Sequence, residues 1–85
     1  MMSLNGIVAR IQTRQDFVAF LRELLHDLHA SPEVWENLTL EDYLEAMAAW
    51  TEDADGYYAN QGLSMPEQPS WKMLGEIILA SKYYE

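Results

Sequence analysis

The sequence predicts an all-α fold, a compact bundle of three main helices and one short helix, preceded by an N-terminal extended arm. Three observations predict it. Apolar residues recur at helical spacing, most clearly at Phe17, Phe20, Leu21, Leu24, Leu25 and Leu28. Thr13 and Thr39 each stand three residues before an aspartate, a short form of the capping box, and Ser70 stands before a third apolar run. Between these runs lie breakers: Ser31-Pro32, Gly62, and the pair Pro66 and Pro69.

Residues 1–12 read as an arm laid across the helices, with Ile7-Val8-Ala9-Arg10-Ile11 extended. A lone strand there needs a partner for its backbone groups. The first main helix runs from about Arg14 to Ala30, capped by Thr13, with Arg22, His26 and His29 on its polar side. Ser31-Pro32-Glu33 stops it and restarts a short helical turn through Trp35, since proline suits a first helical position. The second main helix begins after Thr39 and buries Tyr43, Met47, Trp50, Ala54 and Tyr57 or Tyr58. It ends at Gly56 or at Gly62; the longer version, bent at Gly56, is preferred. Ser70 caps the last helix, Trp71 to about Tyr84, whose apolar residues cover more than half its circumference. That helix should be the most buried. Leu79 falls on its otherwise polar side, with Lys72 and Glu76, so it is either covered by the arm or part of a self-association surface.

With 85 residues the chain can bury one core, and residues 1–85 are expected to form a single domain with an arm over 1–12 and a core over 13–85. There is no cysteine, which excludes disulfides and thiolate metal sites and suits a reducing, cytoplasmic setting. No apolar run reaches the roughly 18 residues of a membrane span, and the N-terminus does not read as a signal peptide.

The charge is unevenly placed. Between Ser31 and Pro69 there are nine acids and no Lys or Arg, while the flanking segments hold five acids and five bases. The whole net charge of −9 therefore belongs to the middle of the chain. Direct binding of nucleic acid or an anionic membrane is disfavoured there, and a basic protein is the natural complement. On the second main helix Glu41, Glu45, Glu52 and Asp55 lie at i, i+4, i+11 and i+14, widened by Asp42 and Asp53 into an acidic ridge. Like charges four apart cost about 0.2–0.5 kcal/mol per pair in an isolated helix, so the ridge works against the element that carries it.

The ridge runs into Tyr57 and Tyr58, neighbours that diverge by about 100° on a helix and cannot both point inward. At least one should reach the surface beside Asp53 and Asp55. Tyrosine offers a large rigid contact area with a polar tip, which suits an interface. The plainer alternative is that Tyr58 closes the core and the acids serve solubility. Trp35, Trp50 and Trp71 read as core.

Catalytic and metal motifs fail on inspection. With Gly56 at the sixth position of a calcium loop, the first position is Thr51 and the twelfth is Gly62, so both end ligands are missing. Glu23 and His26 match half of a di-metal bundle motif that has no second copy, and His26 and His29 read as solvent-facing. No nucleophile–base pair stands out, so no catalytic residue, metal ligand or cofactor is assigned.

Two likenesses add to this. Trp35-Glu-Asn-Leu-Thr-Leu, then Asp55-Gly-Tyr-Tyr, then Pro69-Ser-Trp71 and the ending Tyr84-Glu85 resemble a family of small uncharacterised bacterial domains, over Thr13 to Glu85. Asp53, Asp55, Tyr57, Tyr58 and then Pro69-Ser70 are similar to the acidic four-helix immunity proteins of colicin-type nucleases. That second resemblance implies that the paired tyrosines and helix acids form a binding surface. The expected function is a binding module that engages a basic protein through Glu41, Glu45, Glu52, Asp53, Asp55, Tyr57 and Tyr58, with inhibition of a toxin nuclease as its most specific form. The alternatives are a metal-dependent enzyme using helix carboxylates with His26, and a nucleic-acid mimic.

Overall fold

The capping signals place the helices. In the computed structural model, which describes residues 3–84, Thr13 Oγ1 accepts from the Asp16 N–H at 3.1 Å while Asp16 Oδ2 accepts from the Thr13 N–H at 3.3 Å. This reciprocal box satisfies donors that a helix leaves free at its start. Thr39 and Ser70 make the forward bond of such a cap, accepting from the N–H groups of Asp42 and Met73. Met1 and Met2 of the expected arm, and Glu85, lie outside the described residues.

The elements are α1 (Leu4–Ala9), α2 (Arg14–Ala30), a 3-10 turn (Pro32–Val34), α3 (Leu40–Glu52), α4 (Ala54–Asn60) and α5 (Trp71–Ser81). The all-α expectation holds, with α2 and the short turn where the sequence puts them, the second main helix divided into α3 and α4, and the last helix ending at Ser81. The arm does not hold as extended chain. Ser3 caps α1, and Leu4, Ile7, Val8 and Ile11 at i, i+3, i+4 and i+7 form a helical face. Packing outweighs the β-branched character of Ile7-Val8, because α1 lies against both α2 and α5 and buries Val8, with Ile11 buried just beyond its end.

The central element is α5, against which α1, α2 and α3 all pack. One apolar cluster joins Phe20 and Leu24 to Val8, Ile11, Trp35 and Leu79; a second joins Trp50, Ala54 and Tyr58 to Met73. Leu79 is buried against Val8 and Ile11, the first of the two readings offered for it. Trp71 departs from the expectation of a core residue. It opens α5 at the edge of the bundle, exposed, with its ring 5.6 Å from that of Phe17. Gly75 lets α1 approach α5: a Cβ there would sit 2.6 Å from Ile11 Cδ1.

The far end of α5 is closed by the segment after the 3-10 turn. Asn37 Nδ2 donates to the carbonyls of Ser81 and Tyr84 at 3.0 and 2.7 Å, and the Glu36 N–H donates to that of Lys82 at 3.1 Å. These bonds satisfy carbonyls that a helix leaves free at its end. The Trp35-Glu36-Asn37 run is therefore structural. Asp27 Oδ2 accepts from the Trp35 Nε1–H at 2.9 Å and from the buried Lys82 ammonium at 2.7 Å.

Candidate functional site

The acidic stretch breaks its helix earlier than glycine chemistry suggests. The bend is at Asp53, not Gly56: with φ −90° and ψ 2°, Asp53 ends α3 and its carbonyl accepts from the Gly56 N–H at 3.1 Å. A carboxylate at the C-terminus of α3 opposes that helix's dipole, but the same residue opens α4, where a negative charge suits the dipole. Asp53 finds another partner, since Oδ2 accepts from the Tyr84 hydroxyl at 2.5 Å. That hydrogen bond pushes the Tyr84 phenol above its ordinary pKa. The longer ending does hold. Gly62 takes φ 73°, the Leu63 N–H donates to the Tyr58 carbonyl at 2.9 Å and the Gly62 N–H to that of Ala59 at 3.0 Å. This is a Schellman stop, which needs a left-handed residue and finds a glycine.

The expected contact residues separate into two groups. Glu41, Glu45 and Glu52 share one outward stripe of α3 and are exposed, with Asp53 and Asp55 exposed at the α3–α4 junction. Among the described residues Asp27–Lys82 is the one ion pair, so no base neutralises this ridge. The tyrosines turn the other way, toward α5. Tyr58 is 5% exposed and offers no contact surface, contrary to the expectation that it meets a partner. Its hydroxyl donates to Glu76 Oε1 at 3.4 Å, and burial, reinforced by the Glu76 charge, pushes its pKa up to about 12. Tyr57 stays 36% exposed, its ring 5.2 Å from those of Trp50 and Tyr58 and its hydroxyl 3.4 Å from Glu76 Oε2. The two neighbours differ in burial, one inward and one at the surface, while both hydroxyls reach the one Glu76 carboxylate.

His26 and His29 are exposed on α2, and among the described residues no three His, Asp or Glu side chains converge on a point that could hold a metal ion.

A larger feature escaped the sequence reading. Between α2 and α3 no pair of Cα atoms comes within 8 Å; the two helices are joined through α5 and the Trp35 segment. The gap is an open apolar groove of about 450 Å³, floored by Leu24, Trp35, Tyr43 and Ile78. Its walls are leucines left in solvent: Leu21 and Leu25 from α2, Leu40 from α3, and Leu38 before it. Leu40 is 73% exposed, and Leu44, one turn further along α3, is 52% exposed. One signal was available. Leu40 and Leu44, four apart, stand off the Tyr43–Trp50–Ala54 stripe by up to 100°, and Leu38 is apolar inside a loop.

The chain matches, over residues 13–85, the profile of a family of unknown function, DUF7660. It belongs to that family. The match begins at the Thr13 cap, so α1, which covers Leu79, precedes the family's matched region. No curated protein and no solved structure matches the chain. Among the described residues, no helix is long and apolar enough to cross a membrane.

Proposed function

We propose that this chain is a small acidic protein-binding module that engages a basic partner through the α3 ridge. Glu41, Glu45, Glu52, Asp53 and Asp55 supply the field, and Tyr57 supplies a rigid contact at its end. The observation that carries this reading is the exposed ridge, which among the described residues has no neutralising base. Retaining like charges along one helix opposes its stability, and a complementary surface would offset that cost on binding. Tyr58 acts from behind, holding the Tyr57 ring in place. The most specific form of this function is inhibition of a toxin nuclease, whose basic active surface is built to receive phosphates.

The test is the affinity for a co-purifying basic protein over a salt series, in the wild type and in Tyr57→Ala. Steering by exposed charges weakens as the Debye length falls from about 10 Å at 0.1 M to about 3 Å at 1 M salt. Affinity should therefore drop with salt, and Tyr57→Ala should weaken it further. A partner indifferent to both would show the surface to be misassigned.

A further inference from the structure

The groove between α2 and α3 shares its α3 wall with the acidic ridge. Leu40 lines the groove, and the exposed Leu44, just outside the lining, lies on the helix between it and Glu41, Glu45 and Glu52, so the apolar wall passes into carboxylates. Leu21 and Leu25 pass on the opposite wall into Arg14, Arg22 and His29, all exposed. The groove thus has an apolar floor, an acidic lip and a basic lip.

Its shape asks for a helix. Packed helices lie about 8–10 Å apart, and α2 and α3 instead straddle α5 without approaching each other. One position of a bundle is open. The molecule is correspondingly thin, 18 Å along its shortest axis. A compact monomer of 9.8 kDa has about 5,200 Å² of accessible surface on the usual mass scaling. This chain exposes 6020 Å². The chain is therefore more open than a compact monomer of its mass. The wall offered by α3 is 13 residues long, about 20 Å, which matches a helix of similar length.

We propose that the groove receives an amphipathic helix from a partner protein, with apolar anchors about one turn apart and Lys or Arg along the flank that meets Glu41, Glu45 and Glu52. This rests on the basic-partner reading above and specifies the partner's form. Charge selects the occupant. At a net charge of −9 a second copy of the chain is repelled at long range, whereas a basic helix is attracted. The two lips also fix which flank of the helix faces α3.

The experiment is selection from a displayed library of random 14-residue peptides on the immobilised chain, followed by calorimetry and amide-shift mapping with the enriched peptides. The expected peptides carry an apolar i, i+4, i+7 stripe with Lys or Arg on one flank. They should bind one to one and shift the amides of Leu21, Leu25, Leu38 and Leu40. Leu25→Asp and Leu40→Asp, both at exposed positions that line the groove, should each weaken binding by about tenfold or more while leaving the circular dichroism unchanged. Enrichment of basic peptides without an apolar stripe, indifferent to these two substitutions, would overturn the groove inference and leave the basic-partner reading standing. Enrichment of acidic peptides, or none, would overturn both. A dimer of the chain alone in sedimentation equilibrium, dissolved by Leu25→Asp, would show that a second copy takes the groove.

Discussion

Lys82 is 2% exposed, yet it carries a charge. Its ammonium is held by Asp27 Oδ2 and lies 5.2 Å from the Trp35 ring centre and 4.8 Å from that of Tyr83. Desolvation is opposed by the Asp27 contact and the ammonium pKa is raised on balance; Asp27, hydrogen-bonded by Lys82, is held below the usual carboxylate range. Removing one partner of a buried pair costs more than replacing both, because the other charge is left without compensation. Asp27→Asn should destabilise the fold by about 2–3 kcal/mol in urea titrations, less than for a fully buried pair because Asp27 keeps solvent contact. Adding Lys82→Met to that variant should recover part of the loss. The pH dependence has a definite sign. Asp27 has the lower pKa when folded, so its contribution is present above the unfolded value of about 3.9 and fades as the pH falls through the folded one. Asp27→Asn should therefore flatten the stability profile below about pH 4. Sequence reading could not find this pair, because 55 residues separate its members and both had been counted as flanking charges that cancel.

Among the elements, α2 was legible to the residue, since Thr13, Asp16 and the Phe17–Leu28 periodicity are local signals read within a few turns. The helix α1 was not. Ile7-Val8 with Gly6 argues locally against a helix, and what decides the matter is the surface of α5 that α1 covers. Gly75 is the residue through which that covering is achieved, with no room for a Cβ beside the buried Ile11. Gly75→Val should therefore loosen α1 from α5. Hydrogen exchange at Val8 and Ile11 is the readout: faster exchange there, with the α2 amides still protected, is the expected result. Equal protection in variant and wild type would show that α1 has slack to absorb the methyls. The break at Asp53 has the same character as α1. Gly56 was the local candidate, but Tyr84, at the far end of the chain, holds the carboxylate of Asp53.

At the scale of the whole molecule, charge and shape tell a joint story that neither tells alone. The ridge on α3 was legible as a run of acids at helical spacing, because period and sign are both written in the sequence. The groove beside it was not, because the Phe17–Leu28 stripe does not say how much of itself α5 will cover. Leu25, on that stripe, remains 53% exposed. An apolar face left open beside uncompensated carboxylates is what supports the proposed docking of a basic helix. The most direct measurement of this account is the affinity of a basic, Leu-striped helical peptide for the wild type and for a Glu41→Gln/Glu45→Gln/Glu52→Gln variant over a salt series. The account predicts tight wild-type binding at low salt that weakens as salt rises, with the variant weaker at low salt and the two curves meeting at high salt. Superimposed curves for the two proteins at every salt concentration would contradict it.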